Sequence, residues 1–317
     1  MTLDPALERM LTVSREKGGP ALNEMALSDA RGAMRDMFLA NGYPTCHAAE
    51  VTHIPAEACG GTFSLYIYRP ANAQGALPAV IYFHGGGFVL GDAATYDTQS
   101  RALAHLLGVA VVFVEYRLAP EYRFPAAVTD TCAAIDYIAD ASIDLGLNPN
   151  CLVAMGESAG GNLAVNAALH AHRKGDLRFN GLCLIYPLVD MQPLAEATVR
   201  YPSVAKFGTG TNLDLEEMGW FRENYLNSTD EGTLPENTLL FQPDLDLLPR
   251  TRIYVGECDP LRDMGLTFAP LLIENGVDAK SEILPGMMHS FMCQGNVSAL
   301  ALRHFFRIVE DLADLMR

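Results

Sequence analysis

Apolar residues in this chain come in runs of two kinds. Five runs are short and unbroken: PAVIYF at 78–83, VAVVFVEY at 109–116, CLVAM at 151–155, LCLIYPLV at 182–189 and RIYVGE at 252–257. Continuous apolarity over so few residues predicts strands buried on both faces of a parallel sheet. AKSEIL at 279–284 reads as a further strand. Between these runs the apolar spacing becomes helical. DTQSRALAHLLG at 97–108 opens on Asp97 as an N-cap and closes on Gly108, and PAAVTDTCAAIDYIAD at 125–140 starts with a proline. LTFAPLLIENG at 266–276 ends on Gly276, and SALALRHFFRIVEDLADLM at 298–316 keeps an apolar stripe throughout. These are helix start and stop signals. Alternating strands and helices predict an α/β fold, a mostly parallel central sheet flanked by helices with right-handed crossovers.

Two stretches break the alternation. Residues 1–45 carry helical stripes at Leu3, Leu7, Met10 and Leu11 and at Leu27, Met34, Met37 and Phe38. Residues 190–235 follow LCLIYPLVD and hold the only tryptophan, in LEEMGWFRENYL. Both predict helical cap segments over a catalytic core formed by 46–189 and 236–317. Trp220, Phe221, Tyr225, Met287 and Met288 are candidates for an apolar substrate pocket, and equally for core.

The chemistry centres on MGESAGGN, residues 155–162. A serine flanked by glycines two residues away, between a buried strand and a helix, fits a nucleophile elbow. The turn is tight enough to exclude side chains at Gly156 and Gly160. The amide of Ala159 lies at a helix N-terminus, where it can donate to an anion. HGGGF at 84–88 follows the strand PAVIYF and offers a second set of backbone donors, its glycines letting the chain approach a substrate closely. A dinucleotide loop would need glycine at position 90, which is leucine, and no GxxxxGK[ST] follows. His84 is expected to orient this loop.

Partners of such a serine follow in the order Ser, acid, His. Beyond residue 260 the histidines are His289 and His304. His304 lies within the last helical pattern. His289 follows AKSEIL and the break Pro285-Gly286, which places it on a loop at the end of a strand. Asp259 directly follows RIYVGE and precedes Pro260; a carboxylate there can fix the imidazole tautomer. Asp263 is the alternative acid. Glu157 is either a pocket-shaping or a structural carboxylate.

HGGGF (84–88), EYRLAPE (115–121), FPAA (124–127), GESAGGN (156–162), DPLRD (259–263) and GMMHSF (286–291) together resemble the bacterial esterase branch of the hormone-sensitive-lipase family of α/β-hydrolases. The resemblance runs in order from about Leu65 to the end; residues 1–45 match only as a generic cap. It implies Ser158 as nucleophile, Asp259 as acid and His289 as base, with oxyanion donors from Gly86, Gly87 and Ala159. It further implies a serine carboxylesterase acting on small-molecule, short- to medium-chain esters through an acyl-enzyme, without a cofactor. A lactonase or amidase with the same triad is the alternative. Plant hormone receptors of this family have lost the histidine, whereas His289 is present. Glu115 and Glu157 stand where the family often has aspartate.

Composition narrows the setting. A length of 317 residues suits one large domain with a cap. A net charge of -16 without any Lys/Arg cluster excludes nucleic acid and an anionic membrane face as partners; a homodimer is left open. Seven cysteines, an odd number with no CxxC, predict buried free thiols in a reducing compartment, hence a cytoplasmic protein. The acidic N-terminus has no secretory signal pattern. No HExxH or clustered ligand set predicts a metal.

Overall fold

The structure, a computed structural model, describes residues 2–43, 49–58 and 60–317. Two helices come first, α1 (Pro5–Lys17) and α2 (Leu27–Asn41). Next come β1 (Ala49–Ala58), β2 (Gly61–Pro70), β3 (Leu77–Phe83), α3 (Asp97–Leu107), β4 (Ala110–Tyr116), α4 (Ala126–Ala141), β5 (Leu147–Glu157), α5 (Ala159–Lys174) and β6 (Gly181–Ile185). An insertion then contributes α6 (Leu194–Arg200), α7 (Pro202–Phe207) and α8 (Leu215–Tyr225). The chain finishes with β7 (Thr251–Gly256), α9 (Arg262–Glu274), β8 (Ala279–Leu284) and α10 (Ala299–Leu315). The strands form one sheet in the order β1-β2-β4-β3-β5-β6-β7-β8. Every pair from β4 to β8 is parallel, and β2 pairs antiparallel with both β1 and β4. All the parallel strands therefore end at one edge, where α/β sheets hold their ligands.

The continuous apolar runs are the inner strands. Val80, Ile81, Val112, Val153, Ala154 and Leu184 are fully buried because helices cover both faces. The antiparallel strands β1 and β2 were not expected from those runs. On β2, Phe63, Leu65 and Ile67 are buried while Thr62 is exposed, and Ser64 and Tyr66 are half-buried. This is a period of two, the pattern of a strand covered more fully on one face.

Other boundaries differ for local reasons. The strand expected to run to 189 ends at Ile185, because Tyr186 turns at φ 38°. Beyond it Tyr186 and Val189 are buried in the core, and Leu188 lines a cleft. Asp97 lies inside α3 and pairs with Arg101 at 2.8 Å, so it does not cap the helix. Gly108 closes α3 at φ 67°, the left-handed conformation that glycine adopts readily. The non-alternating insertion also continues beyond residue 235, through 3₁₀ turns at Leu239–Phe241 and Leu245–Leu247. The expected border at 45/46 lies outside the described residues, and α2 ends at Asn41. Asp4 caps α1, and its own amide donates to Gly286 O at 2.9 Å. At the other end of α1, Arg15 donates to Gly210 O at 2.6 Å. The first helix is thus tied both to the loop after β8 and to the insertion.

Candidate active site

Ser158 stands alone between β5 and α5 with φ 52° and ψ -123°. A non-glycine residue in that conformation is strained, and the surroundings hold it there. Its amide donates to Ile185 O, and its carbonyl accepts from both Gly161 N and Leu188 N, each at 2.9 Å. The flanking glycines are required by close approach. A Cβ at Gly156 would lie 2.0 Å from Gly160 O, and one at Gly160 would lie 2.1 Å from Phe83 O. No side chain fits where strand, turn and helix meet, so the hydroxyl alone projects at the sheet edge.

Two further strand ends meet it. His289, on the loop after β8, places Nε2 2.9 Å from Ser158 Oγ and Nδ1 2.9 Å from Asp259 Oδ2. Asp259, directly after β7, is fully buried, and its Oδ1 accepts from Leu261 N at 2.7 Å. Asp263 is engaged elsewhere. Its carboxylate accepts from Ser203 N at 2.7 Å and from Arg262 Nε at 2.8 Å, tying α7 to α9. Of the two candidate acids, only Asp259 reaches His289.

The HGGGF loop after β3 faces the same point. Gly86 and Gly87 have φ of 98° and 62°. A Cβ at Gly87 would sit 2.2 Å from Cδ1 of Phe221, so the insertion rests directly on this loop. Neither glycine amide is spent on a chain acceptor among the described residues. The amide of Ala159 begins α5 next to Ser158. His84 lies fully buried behind the loop, its ring parallel to Phe113 and to Tyr116, with Nδ1 2.7 Å from Gly85 O. Tyr116 Oη donates to His84 O at 2.8 Å. Burial pulls the His84 imidazole down to about 4, so the ring is neutral scaffolding.

These groups open into one cleft of about 980 Å³, counted out to its solvent-facing mouth. One wall comes from the N-terminal helices and the first loops, with Leu22, Met34, Met37, Phe38 and Tyr96. The opposite wall comes from the insertion, with Leu188, Met191, Leu194, Leu213, Met218 and Phe221. Phe221 lines the cleft as expected, but the four other pocket candidates do not. Trp220 packs edge-on against Phe221 at 5.1 Å and stays off the cleft wall, since neighbours on a helix point about 100° apart. Met288 is fully buried in the core, as is Met287, because the loop after β8 packs its main chain against Gly256. Tyr225 is buried too, its ring stacked on Phe88 at 3.9 Å.

Two cleft residues carry no sequence signal that places them at the site. Asn212, in the loop before α8, donates from Nδ2 to His289 O at 2.8 Å. Glu217, in the first turn of α8, puts a carboxyl into the wall. Asn212 belongs to no motif, and Glu217 is the partner of Asp214 in the capping box that opens α8, a pattern that marks a helix start and not a site; the path of the insertion brings both to the cleft.

A family profile described as the alpha/beta hydrolase fold matches residues 80–293. Ethyl acetate hydrolase of Pseudomonas putida is 33% identical over 256 residues, 80% of this chain and 79% of that protein. The chain belongs to the hormone-sensitive-lipase-like family of α/β-hydrolases. An arylesterase of Saccharolobus solfataricus is 29% identical, with 92% of this chain and 93% of that one covered. The solved hyperthermophilic esterase of the archaeon Pyrobaculum calidifontis superposes with a TM-score of 0.89 at 32% identity, covering 99% of each chain.

Within this α/β-hydrolase, Glu157 explains how a carboxyl survives directly before the serine. It is almost fully buried and accepts from Tyr186 Oη at 2.7 Å and Gln99 Nε2 at 3.5 Å. Burial pushes its carboxyl up, while hydrogen bonds from Tyr186, Tyr96 and Gln99 hold it down. Gln99 also donates to Tyr82 Oη at 2.6 Å and accepts from Cys293 Sγ at 3.2 Å. This hydrogen-bonded block lies beneath Ser158 and braces the end of β5 in the family fold.

Proposed function

We propose that Ser158, His289 and Asp259 carry out the hydrolysis of carboxylic esters, with short- to medium-chain acyl groups as substrates. His289 Nε2 removes the proton as Ser158 Oγ attacks the ester carbonyl. Asp259 accepts from Nδ1–H, fixing the tautomer and stabilising the imidazolium. The amides of Gly86, Gly87 and Ala159 supply donors for the oxyanion. The imidazolium then protonates the leaving alkoxide, and water, deprotonated by the same nitrogen, resolves the acyl-enzyme. None of these steps draws on a cofactor or metal.

The observation that carries this reading is the continuous chain of hydrogen bonds, 2.9 Å from Ser158 to His289 and 2.9 Å from His289 to Asp259. The relatives named for ester hydrolysis support the reaction class, and the two apolar walls support a modest acyl chain. Cytoplasmic location is proposed on the thiols: Cys132, Cys151, Cys183, Cys258 and Cys293 are all unbridged, while Cys46 and Cys59 lie outside the described residues. No helix among the described residues is long and apolar enough to cross a membrane.

The test is Ser158→Ala with p-nitrophenyl butyrate. Turnover is expected to fall by on the order of 10⁶. A fluorophosphonate should add to the wild-type protein at Ser158 and leave the variant unlabelled. Turnover within tenfold of wild type would overturn the assignment.

A further inference from the structure

The cleft wall holds three carboxyl side chains, Glu157, Asp190 and Glu217. Two of them are fully engaged. Glu157 accepts from the tyrosine and glutamine donors beneath Ser158. Asp190 accepts from Arg200 Nη1 at 2.7 Å, Tyr201 Oη at 2.8 Å and Gln192 N at 2.9 Å. Glu217 differs. Its side chain takes one long hydrogen bond, from Asp214 N at 3.3 Å, and forms no ion pair among the described residues. The arginine of the cleft wall, Arg222, is spent on Met191 O at 3.0 Å and Thr229 O at 3.1 Å.

A carboxylate drawn out of water without a counter-charge is costly, and proteins supply that charge from a neighbour or from a ligand. Among the described residues no neighbour forms an ion pair with Glu217, and His289 acts on it only through space. We infer that Glu217 makes the leaving-group side of the cleft a cation subsite that selects esters of ammonium-bearing alcohols. The inference rests on Ser158 and His289 as the reacting pair.

The side is set by connectivity. Asn212 holds the carbonyl of His289, and two residues later the amide of Asp214 meets Glu217 Oε2. Glu217 therefore stands at the His289 end of the cleft, and His289 hands its proton to the leaving oxygen. The lining around Glu217 suits a cation bearing alkyl groups. Phe221 follows one turn along the same helix face, offering a ring to the ammonium, and Leu213 and Met218 offer methyl-sized contacts. Burial pushes the Glu217 carboxyl up to about 7, while the amide of Asp214 and the charge of His289 act against this. A bound cation would act in the same direction as His289. The net charge of -16 draws cations toward the surface in general.

Two isosteric substrates test this: butyrylcholine, with a fixed positive charge, and 3,3-dimethylbutyl butyrate, with carbon in place of nitrogen. The readout is the ratio of their kcat/KM values at about pH 8, above the point to which Glu217 is raised. The wild type is expected to favour the choline ester by about tenfold. In Glu217→Gln, which keeps size and an acceptor for Asp214 N, the ratio should fall to about one or below. A wild-type ratio at or below one overturns the inference, as does an unchanged ratio in the variant. Should the variant fail to fold, competition against p-nitrophenyl butyrate by wild type decides: choline must inhibit at lower concentration than 3,3-dimethylbutanol. Turnover of p-nitrophenyl butyrate separates the two readings. Its absence in wild type counts against Ser158 and His289; its presence without a choline preference counts against Glu217 alone.

Discussion

The side-chain amide of Asn212 donates to the main-chain carbonyl of His289 at 2.8 Å. Asn212 belongs to the insertion between β6 and β7, and His289 to the loop after β8. One hydrogen bond thus links the roof of the cleft to the imidazole that faces Ser158. Asn212→Ala removes it at a net cost of about 1 kcal/mol. We expect kcat on p-nitrophenyl butyrate to fall by about fivefold to tenfold, with KM little changed, because the base loses alignment and the walls do not. An unaltered kcat would show that Asp259 and the loop itself are enough to hold His289.

Asp259 and Asp263 lie four residues apart but meet different partners. Asp259→Asn favours the wrong tautomer of His289, so kcat should drop by roughly 10⁴. Asp263→Asn weakens the junction between α7 and α9, where Ser203 N and Asp263 meet at 2.7 Å. Its effect should appear as a lowered melting temperature, with kcat within about tenfold of wild type. Steady-state kinetics and thermal melts on both variants check the pair, and the reverse ranking of kcat would make Asp263 the acid.

The N-terminal wall sets an acyl length limit if acyl chains lie along it. Each CH₂ buried there adds about 0.8 kcal/mol until the wall is reached. For p-nitrophenyl esters, kcat/KM should rise from acetate to butyrate or hexanoate and then fall. Met34, which lines that wall and is itself 5% exposed, is the residue to enlarge. Met34→Trp should move the optimum to shorter chains while acetate turnover is largely kept. An unmoved optimum would place the acyl chain against the insertion instead.

His84 makes stability depend on pH. The folded protein keeps this buried ring neutral down to about 4, whereas the unfolded chain takes up its proton near 6.5. Between those values the unfolded state binds more protons, so stability is lost as pH falls, by about 3 kcal/mol at pH 4. Glu157 and Glu115, whose carboxyls burial raises, act with the opposite sign. Comparison with His84→Gln cancels them. Urea titrations at pH 7 and pH 4 should show wild type losing about 3 kcal/mol more than the variant across this window. Equal losses would mean that the ring is protonated while folded.

The sequence by itself determined what rests on neighbouring residues. Tight approach of backbone to backbone makes Gly156 and Gly160 necessary on either side of Ser158, and that requirement is written within five positions. The inner strands were legible because two-sided burial demands unbroken apolar runs. Chain order and the breaks after two strands were enough to single out His289, and to narrow the acid to Asp259 or Asp263. The tertiary structure decided the rest. Strand β2, covered more fully on one face, is a short alternation that no unbroken run announces. Trp220 and Phe221 are adjacent and equally apolar, yet only the rotational setting of α8 over the HGGGF loop turns Phe221 into the cleft. The same packing brings Asn212 to His289 and leaves Glu217 without an ion pair among the described residues. Whether a side chain meets solvent, core or substrate depends on how whole elements are placed, and that placement sums many weak contacts between residues far apart in the chain.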